Sequence, residues 1–182
     1  MNDGLIPRRY AKALLLVAKE RGVESDVYSH MKCLEQSFVE FPQLNETLNN
    51  PYVSNDDKRK LILSGAGVKP GDNATFSDFI SLLIDNRRIG MVRLMAIAYI
   101  ELYRTDNRIY DVNVQSAAEL SDADEKRIKS FVEKHLDGGI VEYSHSVNPE
   151  LIGGFTISVG NEKIDASVSN ELKQLRLQLL SK

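Results

Sequence analysis

The first half of the chain places apolar residues at helical spacing. Between Tyr10 and Ala18 they recur three or four positions apart, which puts them on one face of a helix. Pro7 suits the first turn of this helix, and Gly22 suits its end. Later segments repeat the spacing and predict further helices. Their apolar positions are Val27, Met31, Leu34, Phe38 and Phe41, then those within 58–63, then Phe76, Phe79, Ile80 and Leu83, and finally Met91, Leu94, Met95, Ala98 and Leu102.

Helix-breaking and capping residues separate these segments. Pro42 predicts the end of the second helix, and Pro51 after two asparagines predicts a turn. Ser54, which is followed by acidic residues, is typical of a helix N-cap. Residues 65–73 contain three glycines and a proline, so we expect a loop there. The first half therefore predicts a bundle of about six helices.

The apolar period changes to two near Arg108, as expected for strands with one buried face. Ser121 predicts the cap of a helix between the first two strands, and Gly160-Asn161 predicts a hairpin between the last two. The alternating positions are Tyr110, Val112 and Val114, then Val141, Tyr143, His145 and Val147, then Phe155, Ile157 and Val159, then Ile164, Ala166 and Val168. The two helical stripes are Ile128, Phe131, Val132, His135 and Leu136, and then Leu172, Leu175 and Leu179.

These patterns predict a mostly α fold with two domains. Residues 1–106 are expected to form an N-terminal six-helix bundle, and residues 107–182 a small C-terminal α/β domain. The boundary is placed where the apolar period changes from that of a helix to that of a strand.

Composition and charge narrow the classes of function. The 182 residues are 42% hydrophobic and 27% charged, which is typical of a globular protein. The net charge of −3 lacks the basic surplus of most nucleic-acid-binding proteins. A single cysteine, Cys33, cannot form an internal disulfide, so we expect a reducing compartment. No apolar run approaches the roughly 20 residues that cross a bilayer, and the N-terminal segment does not resemble a signal peptide.

The search for a metal site finds one weak candidate. His30 and Cys33 lie three positions apart on one predicted helix and could contact the same ion. Two ligands of mixed type with no second pair are a poor basis for a zinc site. Packing at the edge of the core is the better interpretation of both residues.

Catalytic patterns are also lacking. Ser144 and His145 are neighbours on a predicted strand and point to opposite faces, so they cannot pair as nucleophile and base. The glycines at 65, 67 and 71 miss the spacing of a dinucleotide loop and follow a helix instead of a strand. We therefore expect no catalytic residue, no metal and no cofactor, and we favour a binding protein over an enzyme.

Four segments carry a family resemblance. The chain has RRYAKAL at 8–14, LIDNRRI at 83–89, NPELIGGF at 148–155 and KIDASV at 163–168. In this order and at this chain length, they resemble the family of ATP synthase δ subunits and the mitochondrial oligomycin-sensitivity-conferring protein. Pro149 departs from the pattern at a position where members vary, and it bears on a turn.

The resemblance implies a non-catalytic stator subunit, part of the peripheral stalk of a rotary ATP synthase. The N-terminal bundle would dock on top of the α/β head and receive the N-terminal helix of an α subunit between its first and fifth helices. The C-terminal domain would hold the C-terminal ends of the b-type stalk subunits, so that the stalk resists rotor torque. The implied location is the cytoplasmic face of the bacterial inner membrane, peripherally through the complex, without direct membrane insertion.

The predicted helix at 10–18 has apolar residues on more than one face, as a helix that serves both a core and a partner should. An amphipathic partner helix in a groove is a known mode of recognition. The residues predicted to contribute to the groove are Tyr10, Ala13, Leu14, Val17, Phe79, Leu83, Asn86 and Arg87. The alternative for each apolar member is ordinary packing in the bundle core.

Two other functions compete with the stator. A free-standing adaptor would use the helical half to bind a partner helix outside any ATPase, and co-purification with α and β subunits would distinguish the two. A small hydrolase would use His145 or Asp165, and its activity would be lost when those residues are replaced.

Overall fold

The computed structural model describes residues 5–69, 74–136, 138–160 and 162–180. The chain divides into two compact units, Met1–Thr105 and Asp106–Lys182. Across the described residues it is mostly helical, with one four-stranded sheet in the second unit. Gly71 and Asn73 of the predicted loop, and Asn161 of the predicted hairpin, lie outside the described residues.

The first unit consists of helices joined by short turns. They are α1 (Leu5–Arg21), α2 (Glu24–Glu40), α3 (Gln43–Asn49), α4 (Asn55–Gly65), α5 (Ala74–Asp85) and α6 (Val92–Asp106), with a 3-10 turn at Ile89–Met91 before α6. The predicted boundary residues act as expected. Gly22 follows α1 with a φ of 67°, and the Ser54 side chain accepts a hydrogen bond from the Asp57 N–H at the start of α4.

The core of this unit surrounds α2, whose apolar stripe is fully buried from Val27 to Phe38. Tyr28 of α2 stacks on Tyr103 of α6, with ring centroids 4.4 Å apart. Tyr99 of α6 donates a hydrogen bond from its hydroxyl to the Glu24 carbonyl oxygen at 3.2 Å. Burial of this phenol, with smaller contributions from Tyr103 and Glu24, raises the pKa of Tyr99.

Three predictions for this unit were wrong in detail. The stripe predicted for α6 included Leu94, but Leu94 is 49% exposed and the buried stripe runs through Met95, Tyr99 and Tyr103. The sequence offers both stripes, and the one with the tyrosines is buried because it packs on Tyr28. Phe41 lies after the end of α2 and is 60% exposed. The third error concerns Gly65, which was placed in a loop and instead ends α4.

The second unit is a sheet covered on one face by a helix. Its elements are β1 (Ile109–Ser116), α7 (Asp122–His135), β2 (Ile140–Val147), a 3-10 turn (Pro149–Leu151), β3 (Gly154–Val159), β4 (Glu162–Ser167) and α8 (Val168–Leu180). The strand order is β2-β1-β3-β4. The pair β1–β2 is parallel and the other two pairs are antiparallel. Val168, which the sequence placed on the last strand, begins α8.

The core of this unit lies between the sheet and α7. It contains Val112 and Val114 of β1, Ile157 of β3, and Ile128 and Val132 of α7. The pleat turns the intervening residues to the opposite face, where Asn113 pairs in register with Ser144 and Ser158. One face of the sheet is therefore apolar and covered, and the other is polar.

We predict that alanine substitutions at two glycines of this unit lower the free energy of unfolding by very different amounts. Gly154 has a φ of 75°, and an added Cβ would overlap the Ala166 carbonyl oxygen of β4. Gly160 has a φ of 56°, but an added Cβ would meet nothing within 4 Å. Gly154→Ala should lower the free energy of unfolding by about 3 kcal/mol, and Gly160→Ala by about 1 kcal/mol. Urea unfolding of the full chain, followed by circular dichroism, measures both, and equal urea midpoints would contradict the close approach.

Candidate partner-binding site

Helices α1 and α5 lie side by side and run in opposite directions. Near the end of α1, Arg21 Nη1 donates to Thr75 Oγ1 at 3.1 Å, at the start of α5. Near the start of α1, Tyr10 accepts a hydrogen bond of 3.2 Å from Arg88 Nη1, just beyond the end of α5. We refer to these two contacts as the arginine bridges. They fix both ends of the pair of helices that the sequence predicted to form the groove.

The eight predicted groove residues fall into two layers. Leu14, Phe79 and Leu83 are buried and belong to the core between the helices. Tyr10 is half-buried, and Val17 is 39% exposed. The remaining three, Ala13, Asn86 and Arg87, are exposed. The buried three can form the floor of a groove, and only the others present side chains to a partner.

Sequence reasoning missed one apolar residue on this surface. Leu82 of α5 is 49% exposed. It lies one turn after Asp78, whose carboxylate is 3.4 Å from the Arg21 guanidinium. Leu82 directly precedes Leu83 of the buried stripe, so a search for a second apolar stripe on α5 would have found it.

The exposed apolar residues lie between the arginine bridges. Ala13 and Val17 are one turn apart on α1, between Tyr10 and Arg21, and Leu82 occupies the matching stretch of α5. We call Ala13, Val17 and Leu82 the apolar lip. The arrangement is a strip of apolar surface bounded at each end by a polar contact, which suits one face of an amphipathic helix.

The end of α5 has an unusual backbone. Arg87 has a φ of 54°, in the left-handed region that favours glycine. The Arg88 N–H donates to the Leu83 carbonyl at 2.8 Å and the Arg87 N–H to the Ile84 carbonyl at 2.9 Å, which together form a Schellman cap. A side chain with a Cβ costs about 1 kcal/mol relative to glycine at such a position. The Arg87 side chain is exposed, and Arg88 Cζ lies 5.3 Å from the centre of the Tyr10 ring.

The hydrolase hypothesis finds no support in the second unit. The pairing that does form is between His145 Nε2 and Ser116 Oγ, 2.7 Å apart. Ser116 is buried and donates its own proton to the Ala118 carbonyl oxygen, so its oxygen accepts from His145. A serine whose proton is held by a carbonyl is not activated by the histidine. Ser144 instead accepts a hydrogen bond from Asn113 at 3.1 Å.

The packing interpretation of the candidate metal pair holds for His30 and is wrong for Cys33. His30 Nδ1 lies 3.1 Å from the Ala66 carbonyl oxygen, and its ring packs near Phe76 with a centroid distance of 5.6 Å. Cys33 is exposed. Among the described residues, no group of three or more metal-ligating side chains comes together. Within the same ranges, no helix combines the length and the apolar content needed to cross a membrane.

Comparison with known proteins decides the family. The family model for the ATP synthase delta (OSCP) subunit matches residues 6–179. The ATP synthase subunit delta of Parabacteroides distasonis is 38% identical over 180 residues, covering 99% of this chain and 98% of the relative. That of Prochlorococcus marinus subsp. pastoris is 33% identical over 170 residues, covering 93% of each. The chain belongs to the ATP synthase delta (OSCP) subunit family.

The fold agrees with this membership. A chain of the cryo-EM structure of the Toxoplasma gondii mitochondrial ATP synthase hexamer matches with a TM-score of 0.70 and 20% identity, covering 96% of this chain and 97% of that chain. A delta (OSCP) subunit is a structural component of the peripheral stalk, so this chain is a non-catalytic subunit of an ATP synthase. The family resemblance read from the sequence is thereby confirmed, and a free-standing adaptor is set aside.

The segments that resemble the family in the second unit have a structural role. Gly153 and Gly154 lie where β3 begins beside the end of β4, and the Val168 N–H donates to the Gly153 carbonyl at 3.0 Å. Asp165 accepts hydrogen bonds from the N–H and the hydroxyl of Ser167, at 3.0 and 2.6 Å. The side-chain bond first, and the backbone bond second, lower the pKa of the Asp165 carboxyl. Asp165 is therefore a capping residue in this family member.

Ser167 completes the start of α8. Its hydroxyl oxygen accepts a hydrogen bond of 3.2 Å from the Asn170 N–H, which makes Ser167 the N-cap of the helix. The glycine pair and the Asp165–Ser167 contacts together fix where α8 leaves the sheet. The direction of the final helix of this delta-family chain is therefore set by backbone and capping contacts.

We predict that Ser167→Ala makes local unfolding of α8 more frequent. Loss of the cap removes an acceptor worth about 1 kcal/mol, so amide hydrogen exchange across residues 168–180 should speed up about fivefold. Ser169→Ala, at the second residue of the same helix, is the matched control and should leave the exchange rates within twofold of the wild type. Mass spectrometry of the full chain after exchange measures both. Similar protection in the two variants would argue against the cap.

Proposed function

We propose that this subunit joins the catalytic head to the stalk through two separate surfaces, one on each unit. The helical unit, in which α1 to α6 form the six-helix bundle expected of the family, receives the N-terminal helix of an α subunit at the top of the head. The second unit holds the C-terminal ends of the b-type stalk subunits. The complex would place the chain at the cytoplasmic face of the bacterial inner membrane.

The observation that carries the first contact is the apolar lip between the arginine bridges. Val17 and Leu82 leave large aliphatic groups in water on neighbouring helices, while Leu14, Phe79 and Leu83 of the same two helices are buried. Covering aliphatic surface stabilises a complex by roughly 25 cal/mol per Å². A helix with apolar residues three and four positions apart would bury the lip while its polar face stays in water.

The observation that supports the second contact is the exposed surface of α8. None of the described residues of α8 is buried. Leu172, Leu175 and Leu179 lie on one stripe, and Leu175 is 54% exposed. A helix with this many leucines in water is typical of an interaction surface. Because the b-type subunits are the elements that continue towards the membrane, we assign α8 to them.

Two docking surfaces on one chain suit a static link. The head experiences torque when the rotor turns, and a subunit attached at both the head and the stalk carries that force to the membrane. Neither contact requires chemistry.

We predict that substitutions on the two surfaces act independently. Ala13→Asp places a carboxylate in the groove, and Leu175→Asp places one on α8; both sites are exposed, so both variants should fold. Ala13→Asp should weaken binding of a synthetic peptide of the cognate α-subunit N-terminus by at least about 30-fold, because an ion must be desolvated in the contact. Leu175→Asp should weaken binding of a soluble C-terminal fragment of the b-type subunits to a similar extent.

Each variant is the control for the other, and isothermal titration calorimetry measures both affinities. Ala13→Asp should bind the b-type fragment as the wild type does, and Leu175→Asp should bind the α peptide normally. The groove assignment would be contradicted if the Ala13→Asp chain kept both its circular dichroism spectrum and its affinity for the α peptide.

A further inference from the structure

One end of the groove is strongly basic. Arg9 of α1 is exposed and precedes Tyr10, and Arg87 and Arg88 follow the end of α5. Because Arg88 bonds to Tyr10, the two segments lie together. We call Arg9, Arg87 and Arg88 the arginine cluster. The neighbouring carboxylate on α5 is Asp85, so the cluster keeps an excess of positive charge in a chain whose net charge is −3.

The two ends of the groove differ in charge. At the far end, Arg21 is 3.4 Å from the Asp78 carboxylate, so the charge there is balanced. In the cluster, Arg9 and Arg87 make no ion pair or hydrogen bond through their side chains with any described residue. Arg88 uses one N–H group for Tyr10, and a guanidinium carries five. Among the residues that the structure describes, the cluster therefore keeps guanidinium N–H groups that no other residue accepts.

Arg87 occupies a position where glycine would be less strained. Its φ of 54° and its place in the Schellman cap are those of a typical glycine C-cap. The cap needs only the backbone, because both of its hydrogen bonds are made by main-chain groups. The exposed Arg87 side chain is therefore not needed for the cap and is available to a partner.

We propose that the arginine cluster binds carboxylate side chains at one end of the docked helix, so that the acidic end of the helix lies beside Tyr10. Guanidinium groups form paired hydrogen bonds with carboxylates, which gives them both strength and direction. The inference rests on the proposed groove and adds a specificity element to it. The apolar lip binds the helix, and the cluster selects the helix by its charge.

The test is a cycle between two peptides and two chains. One peptide is the cognate α-subunit N-terminal segment, and the other has its Asp and Glu residues replaced by Asn and Gln. The chains are the full-length wild type and Arg87→Gly, and calorimetry is run at low and high salt. Arg87→Gly should bind the native peptide about tenfold more weakly at low salt, the effect of one charge-assisted contact. The neutral peptide should bind the wild type as weakly as the native peptide binds Arg87→Gly. The Arg87→Gly substitution should not weaken binding of the neutral peptide any further.

A stability readout separates binding from structure. Arg87→Gly should raise the thermal unfolding midpoint by about 3 °C, because glycine relieves the strained φ. Arg108→Gly is the matched control, since Arg108 is also exposed, has a φ of 51° and lies in the other unit. It should also raise the midpoint and should leave peptide affinity unchanged.

The possible results distinguish the two proposals. If Arg87→Gly binds the native peptide as the wild type does while Ala13→Asp does not bind it, the cluster inference is overturned and the groove stands. If the wild type does not bind the native peptide at all, both are overturned. If the arginines are instead needed for binding to phosphatidylglycerol vesicles and not to the peptide, the cluster contacts lipid and the inference is also overturned.

Discussion

The antiparallel packing of α1 on α5 is the constraint on which the proposed head contact depends. Its stability comes from buried aliphatic and aromatic groups, chiefly Leu14, Phe79 and Leu83. The exposed ion pair between Arg21 and Asp78 adds little, because exposed pairs are worth at most about 1 kcal/mol. The arginine bridges are two single hydrogen bonds, so they act mainly on register: they determine which residues of the two helices face outward together. Val17 and Leu82 share a surface because the ends of the pair are fixed.

In the second unit, the feature that must be fixed is the direction of the final helix. Its final helix must leave the sheet in a defined direction while contributing no buried residue of its own among those described. The close approach of Gly154 to β4 and the capping contacts of Asp165 and Ser167 fix that point of departure. Both units thus keep an apolar helical surface in water and use polar or backbone contacts to orient it.

Local patterns predicted much of this fold because their causes are local. Ser54 and Gly22 act on their own helix ends, and the alternation around Val112 follows from the pleat. Helix α3 was missed because seven residues with one buried leucine give too short a periodic signal. The correct face of α6 depends on Tyr28, far away in the sequence, and the Arg88–Tyr10 bond joins residues 78 positions apart. No pattern within a single segment contains that information, so the apolar lip could be predicted only in part.

In the proposed function, the head and the stalk bind to different units of this chain. Photo-cross-linking in the assembled synthase tests it most directly. The exposed Cys33 is replaced by Ser, a single cysteine is introduced by Val17→Cys or Leu175→Cys, and a benzophenone maleimide is attached before reconstitution. We expect adducts from position 17 with the α subunit and from position 175 with a b-type subunit. Adducts of position 17 with a b-type subunit alone, or of position 175 with the α subunit alone, would contradict it.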